Sequence, residues 1–156
     1  MSNAPVDLNK VAYAKLLRLA DMRERSVFEM RRRLLAMDFE PEVVEAAIAR
    51  AQSCLLLDDE RFAEGYIQKK LRVGWGCERI KKGLLNRGVA PEIIDAFSQE
   101  FFDEGVELER ALRELRQFKA KAENLNDARY RRLKTKGYSC DIISAALARI
   151  EVNEEV

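Results

Sequence analysis

The sequence predicts an all-α protein of three tandem three-helix repeats forming an elongated, curved solenoid. Three observations predict it. Apolar residues recur at helical spacing along most of the chain, with no sustained period-2 alternation. Three prolines and seven glycines in 156 residues are too few for the frequent turns of a β-sandwich. And one phrase returns: Met37-Asp38-Phe39-Glu40-Pro41 aligns with Arg87-Gly88-Val89-Ala90-Pro91 at an offset of 50 residues. Lys136-Gly137-Tyr138-Ser139-Cys140 follows 49 further on.

Unit one, residues 9–53, opens on Ala12, Leu16 and Leu19 at i, i+4 and i+7. Ser26-Val27-Phe28-Glu29 has capping-box spacing and starts a second helix carrying Val27, Met30 and Leu34. Pro41 sits where a third helix begins, and Val44, Ile48 and Ala51 form its stripe. Unit two, residues 57–104, starts at Asp58 or Asp59 and carries Ala63, Ile67 and Leu71. Gly74-Trp75-Gly76 reads as a tight link to a second helix with Ile80 and Leu84. Pro91, Ile93, Phe97 and Phe101 make the third helix. Unit three, residues 105–151, runs through Leu108, Leu112, Leu115 and Phe118 to an expected loop at Ala122–Asn126. Ser139 replaces proline as the cap of its last helix. Residues 1–8 are expected to be a flexible N-terminus and 152–156 a tail, which leaves about nine helices.

The recurring turn has a physical reading. Asp38, Gly88 and Gly137 fall just past a helix end, where a left-handed residue is wanted; glycine suits it best and aspartate is tolerated. The next residue is apolar each time (Phe39, Val89, Tyr138), as expected if it folds back onto the preceding helix. A three-helix unit of about 45 residues buries little surface alone, so the units should stack, with corresponding second helices side by side.

Charge is balanced overall and polarised locally. Lys+Arg 28 against Asp+Glu 27 gives a net charge of +1, which excludes a uniformly basic chain but not basic patches. From Lys69 to Arg87 the only acid is Glu78, whereas Glu92, Asp95, Glu100, Asp103 and Glu104 run without a basic residue among them. Arg31, Arg32 and Arg33, Lys81 and Lys82, and Arg131 and Arg132 lie on the second helix of each unit. Side by side they would form a basic ribbon, flanked in unit two by Lys69, Lys70, Arg72 and Arg79. Such a ribbon suits a phosphate backbone or an acidic protein groove; the same residues also suit a solvated face paired with acidic helices. Trp75 is either a half-buried link residue or an exposed anchor for a partner.

Other chemistry is excluded. The chain has no histidine, so histidine-based triads, dyads, metal sites and pH switches are absent. Cys54, Cys77 and Cys140 are widely spaced and form no CxxC pair, and are expected as small buried or half-buried thiols. No cofactor fingerprint is present: nothing like GK[ST] follows Gly74-Trp75-Gly76. No catalytic, cofactor-binding or metal-binding residue is therefore expected, and the protein reads as a non-enzyme. No apolar run approaches a membrane span and no signal peptide opens the chain, so the cytoplasm is the expected compartment.

Several phrases resemble the RecX family of regulatory proteins. Leu55-Leu56-Leu57-Asp58-Asp59-Glu60-Arg61-Phe62-Ala63 is similar to the phrase that opens that family's middle repeat. Arg79-Ile80, Leu84-Leu85 and Arg87-Gly88-Val89 continue it. Ser26-Val27-Phe28-Glu29-Met30-Arg31 resembles its first repeat, and Arg131-Arg132-Leu133 through Gly137-Tyr138 its third. Asp38 stands where a glycine is usual, and Lys134 at an apolar position. The resemblance covers about residues 10–150. It implies a modulator that lies in the groove of the RecA–single-stranded DNA filament and inhibits its recombinase, ATPase and coprotease activities. The implied partners are the RecA filament and single-stranded DNA within or near it; no membrane partner is expected from the hydropathy, and the chain is expected to be a monomer. A stand-alone nucleic-acid-binding helical module is the alternative.

Overall fold

A computed structural model describes residues 4–121 and 123–156. Ten helices follow one another: α1 (Leu8–Met22), α2 (Val27–Leu35), α3 (Pro41–Ser53), α4 (Asp59–Arg72), α5 (Cys77–Asn86), α6 (Pro91–Ala96), α7 (Ser98–Phe101), α8 (Glu104–Gln117), α9 (Leu125–Lys136) and α10 (Cys140–Glu154). No strand occurs among the described residues. Short polar residues begin most helices by accepting from otherwise unpaired amides. Asp58 takes Glu60 N at 3.0 Å and Ser139 takes Ile142 N at 3.2 Å. Pro41 and Pro91 open α3 and α6, where a missing N–H costs nothing. Leu8 already belongs to α1, and Leu125 to α9. Residues 1–3 of the expected flexible terminus, and Ala122 of the expected loop, lie outside the described residues.

Three separate cores hold these helices. Ala12, Leu16, Met30, Leu34 and Ile48 centre the first, Ala63, Ile67, Ile80 and Leu84 the second, and Leu112, Leu115, Leu133, Tyr138 and Ile143 the third. Leu34, Leu84 and Leu133, in register in the sequence, are each fully buried. Helices pack closely only within these groups: α1 to α3, α4 to α7, and α8 to α10. The exposed surface is 10348 Å², against about 8000 Å² for a compact monomer of this mass, so the molecule is elongated. The tenth helix arises because the third helix of the middle group breaks at Phe97. There Ser98 Oγ bonds back to Ile94 O, and Phe97 and Phe101 lie 5.9 Å apart. Periodicity continues across a one-residue break and does not reveal it.

The recurring turn takes its expected conformation in all three places. Asp38, Gly88 and Gly137 have φ of 64°, 74° and 95°. Behind Gly88 and Gly137, the amides of Val89 and Tyr138 reach Leu84 O and Leu133 O, each at 3.1 Å, closing Schellman-type ends. At Asp38 the corresponding turn is held by Asp38 N to Leu35 O at 3.1 Å. Asp38→Gly should raise stability by a few tenths to about 1 kcal/mol, because glycine adopts this φ without cost. A urea midpoint below that of the parent chain would contradict the turn assignment.

Adjacent units meet end to end, which corrects the side-by-side arrangement expected of the second helices. The N-terminus of α2 abuts the turn that ends α5: Ser26 Oγ donates to Arg87 O at 2.6 Å, and Val27 N donates to Asp59 Oδ1 at 2.8 Å. The N-terminus of α5 meets the turn that ends α9 in the same manner. Gly76 N donates to Lys136 O at 2.7 Å, Glu78 N to Gly137 O at 3.0 Å, and Cys77 N to Glu107 Oε2 at 3.2 Å. At both joints a carboxylate from the first turn of the next unit's first helix receives the first helical amide of the preceding unit's second helix. The positive end of one helix therefore faces the negative end of another, an arrangement favoured by their dipoles. Ser26 does accept from Glu29 N at 3.1 Å, but Glu29 pairs with Arg23 rather than completing a capping box. Cys54 and Cys140 are exposed and only Cys77 is half-buried, so two thiols lie further out than expected; each is a neighbour of a tyrosine hydroxyl or a backbone carbonyl at a helix end rather than of core side chains.

Candidate functional site

The joint between the first two units concentrates positive charge. Its ingredients come from different elements: Arg23 and Arg25 from the α1–α2 link, Arg32 and Arg33 from α2, Lys69 and Lys70 from α4, and Arg87 from the turn after α5. One open groove of about 470 Å³ is lined by Arg23, Arg25, Arg32, Arg33 and Arg87 beside Phe28. A second, of about 430 Å³, is lined by Arg23, Lys69, Lys70 and Arg87 beside Tyr66. Glu24 and Glu29 are their acids. Glu24 is taken by Arg61 at 2.8 Å, and Glu29 by Arg23 at 2.6 Å. Arg61 also donates to Leu55 O and Leu56 O, which braces the connection between the units.

Electrostatics follow from that crowding. Burial, with Lys69, Arg87 and Arg79 nearby, holds the Lys70 ammonium below its ordinary pKa. Burial and then Arg23 lower that of Arg25. Aromatic rings order some of these cations. Lys70 Nζ lies 4.4 Å from the Trp75 ring centre and Arg79 Cζ 3.7 Å from it, while Arg87 Cζ lies 4.8 Å from Tyr66. Trp75 is thus half-buried, with cations against its ring, rather than a bare anchor.

The sequence-predicted cations do not converge on one ribbon. Arg32 and Arg33 join Lys69 and Lys70 at the first joint, as described. Arg31 instead forms a two-pronged pair with Glu45, at 2.6 and 3.3 Å, tying α2 to α3. Arg72 lies at the other joint, in a groove with Arg110, Arg113 and Glu114. Arg79 donates to Thr135 O at 3.2 Å, and Lys81 sits 5.6 Å from the Phe102 ring centre. Arg132 pairs with Glu114 at 3.6 Å. Lys82 and Arg131 are exposed without an ion pair among the described residues. Sequence reasoning missed Arg23, Arg25 and Arg87 as site residues. The offset of 50 held a signal for one of them: it sets Arg25 opposite Trp75, in the corresponding link.

The second joint is built differently. Glu107 is buried and burial raises its pKa; its carboxylate accepts from Cys77 N and lies 3.6 Å from Arg110. Burial also pushes the Cys77 thiol up to about 11. Tyr138 is fully buried and its hydroxyl donates to Gly74 O at 3.1 Å. These groups are committed to the joint itself. Among the described residues no cluster of three or more metal-ligating side chains occurs, and no helix is long and apolar enough to cross a membrane.

Comparison with known proteins agrees with this architecture. Family models for the first and second three-helix domains of RecX match residues 12–50 and 58–96, together half of the chain. The third unit is outside both matches. The regulatory protein RecX of Ectopseudomonas mendocina is 32% identical over 152 residues, covering 94% of this chain and 97% of that protein. That of Pseudomonas fluorescens is 33% identical over 131 residues, covering 81% and 83%. For the Haemophilus influenzae relative (strain PittEE) the match, at 31% identity over 94 residues, spans only 62% of that protein's length. The crystal structure of RecX from Lactobacillus salivarius superposes with a TM-score of 0.81 over 94% of this chain and 98% of that one. At 19% identity it supports the fold alone. With tandem domain matches in the order of the first two cores, and full-length relatives above 30% identity, the chain belongs to the RecX family of regulatory proteins.

Proposed function

We infer that this chain is a non-enzymatic cytoplasmic regulator that binds the RecA–single-stranded DNA filament as a monomer. Bound there, it inhibits the filament's ATPase, recombinase and coprotease activities. Family membership carries the reading, and the architecture supports it: three units joined end to end make a long body able to touch several subunits of a helical polymer. Units of residues 9–53, 57–104 and 105–151 would each supply contacts. The direct test is RecA ATPase activity on single-stranded DNA, titrated with this protein below one copy per RecA. Strong inhibition is expected, and an unchanged rate at equimolar protein would refute the reading. Lys82→Glu with Arg131→Glu should weaken inhibition while stability stays within about 0.5 kcal/mol, since both side chains face solvent.

The basic grooves at the first joint favour a second reading, a module that binds nucleic acid alone. Salt separates the two. A binder making six or more phosphate contacts loses about 10³-fold in affinity between 50 and 200 mM salt. Inhibition that persists at 200 mM salt favours the filament reading.

A further inference from the structure

We propose that a groove at the joint of the second and third units is a docking surface for a basic protein segment carrying an apolar anchor. The groove, of about 530 Å³, opens between the starts of α5, α8 and α10. Phe102, Leu108 and Ile142, each half-buried, and Ala145 give it an apolar floor. Exposed Glu78, Glu104 and Asp141 stand on its rim, and none has an ion pair among the described residues. Glu107, also in the lining, is only 4% exposed. Its Oε2 holds Cys77 N, whereas its Oε1 accepts no hydrogen bond among the described residues and has Arg110 at 3.6 Å. A buried carboxylate oxygen left in this way is costly, and a cation seated in the groove lowers that cost.

The lining selects the class of partner. Acids in a first turn ordinarily serve their own helix, whose N-terminus carries about half a positive charge. Three such ends meet here, and the four carboxylates outweigh them. No lysine or arginine lines the groove; Lys81 reaches only its edge, 5.6 Å from the Phe102 ring centre. Nucleic acid and anionic lipid are repelled by such a rim. A small cation would use the charge and leave the apolar floor bare, and no cluster of three or more metal-ligating side chains occurs among the described residues. An apolar centre within a charged rim is the anatomy of a protein interface, and a rim of one sign selects a partner of the other. The occupant is therefore a protein segment with lysine or arginine beside a large apolar side chain. The inference deepens the proposed filament reading and rests on it: the segment belongs to a RecA subunit, and the groove is a protein contact distinct from the cationic surfaces.

The test measures inhibition of the RecA ATPase on single-stranded DNA at 200 mM salt, where phosphate contacts are weakened. Ala145→Arg, at an exposed position of α10, fills the groove with a side chain of the partner's own sign. It should raise the half-inhibiting concentration at least about tenfold. Glu104→Gln with Asp141→Asn should raise it about three- to tenfold. Glu40→Gln with Glu42→Gln removes two exposed acids from the start of α3, where Glu42 matches Asp141 in the repeat, and should change it less than about twofold. Placed beside the groove at the exposed Ser144, p-benzoylphenylalanine should cross-link on irradiation to a RecA residue within a few positions of a lysine or arginine, as located by mass spectrometry. A parent chain that leaves the ATPase unchanged removes the filament reading and the groove's assignment with it. A parent that inhibits, with both groove variants equal to it, overturns the groove alone, as does a control effect as large as theirs. A cross-link to DNA, to an acidic stretch of RecA or only to a second copy of this chain also overturns it. Circular dichroism checks helix content, and the cross-link, which leaves the groove's own residues unaltered, decides the matter if a groove variant unfolds.

Discussion

Gly88→Val should destabilise the chain by about 3 kcal/mol or more, from two independent causes at one residue. The first is conformational. Gly88 has φ of 74°, and forcing a β-branched residue left-handed costs about 1–2 kcal/mol. The second is contact. A Cβ on Gly88 would fall deep inside the van der Waals envelope of Phe28, on the first turn of α2. Relief means withdrawing α2 from the turn, which breaks the bond from Ser26 Oγ to Arg87 O and exposes the buried Ser26. Because each unit has its own core, unit one should then unfold separately. Urea unfolding of Gly88→Val should show an early first transition. A single transition at the parent midpoint would mean that neither the turn nor the joint is as described.

The contrast between what the sequence disclosed and what it hid follows the range of the interactions. Gly88 and Gly137 were legible because a left-handed residue past a helix end is a local demand, met within a few residues. Leu34, Leu84 and Leu133 were legible because burial of one helix face repeats at a local period. Ser26 was legible only in part: its bond to Glu29 N is local, but its bond to Arg87 O spans 61 residues. Arg31 looked equal to Arg32 and Arg33 because charge type does not show that Glu45, fourteen residues on, will reach it. Arg23, Arg25 and Arg87 went unnoticed as a group because they sit on no common helix and meet only when two units join. The ribbon expectation rested on parallel stacking of second helices. End-to-end joining distributes those cations along the array and concentrates others at the first joint.

Gly76→Ala is the sharpest test of that joining, because Gly76 looks ordinary by every local measure. Its φ of −85° and ψ of 168° suit any residue, so no backbone strain attends the change. As the cap of α5 it loses only a few tenths to about 1 kcal/mol on becoming alanine. The large term is distant in sequence. A Cβ here would lie 2.6 Å from the carbonyl carbon and oxygen of Gly137 and 2.7 Å from the amide of Tyr138. These are backbone atoms of a turn already fixed by bonds to Leu133 O, so no side chain can rotate aside. The joint must open instead. Opening gives up the bonds from Gly76 N, Cys77 N and Glu78 N to the third unit, each worth about 0.5–1.5 kcal/mol net, for a total of about 3 kcal/mol. Gly65→Ala is the matched control: it lies inside α4 with nothing within 4 Å of an added Cβ, and should stabilise by about 0.5–1 kcal/mol. The same chemical change thus acquires opposite signs at two glycines eleven residues apart. An optical readout checks that the loss is at the joint. Burial holds the Tyr138 phenol far above its ordinary pKa, so it stays protonated where an exposed tyrosine ionises. Opening the joint frees its hydroxyl from Gly74 O, and Gly76→Ala should gain phenolate absorbance near pH 10 that the parent chain lacks. If Gly76→Ala instead matches the parent in both midpoint and titration, the third unit is not held to the second by this contact.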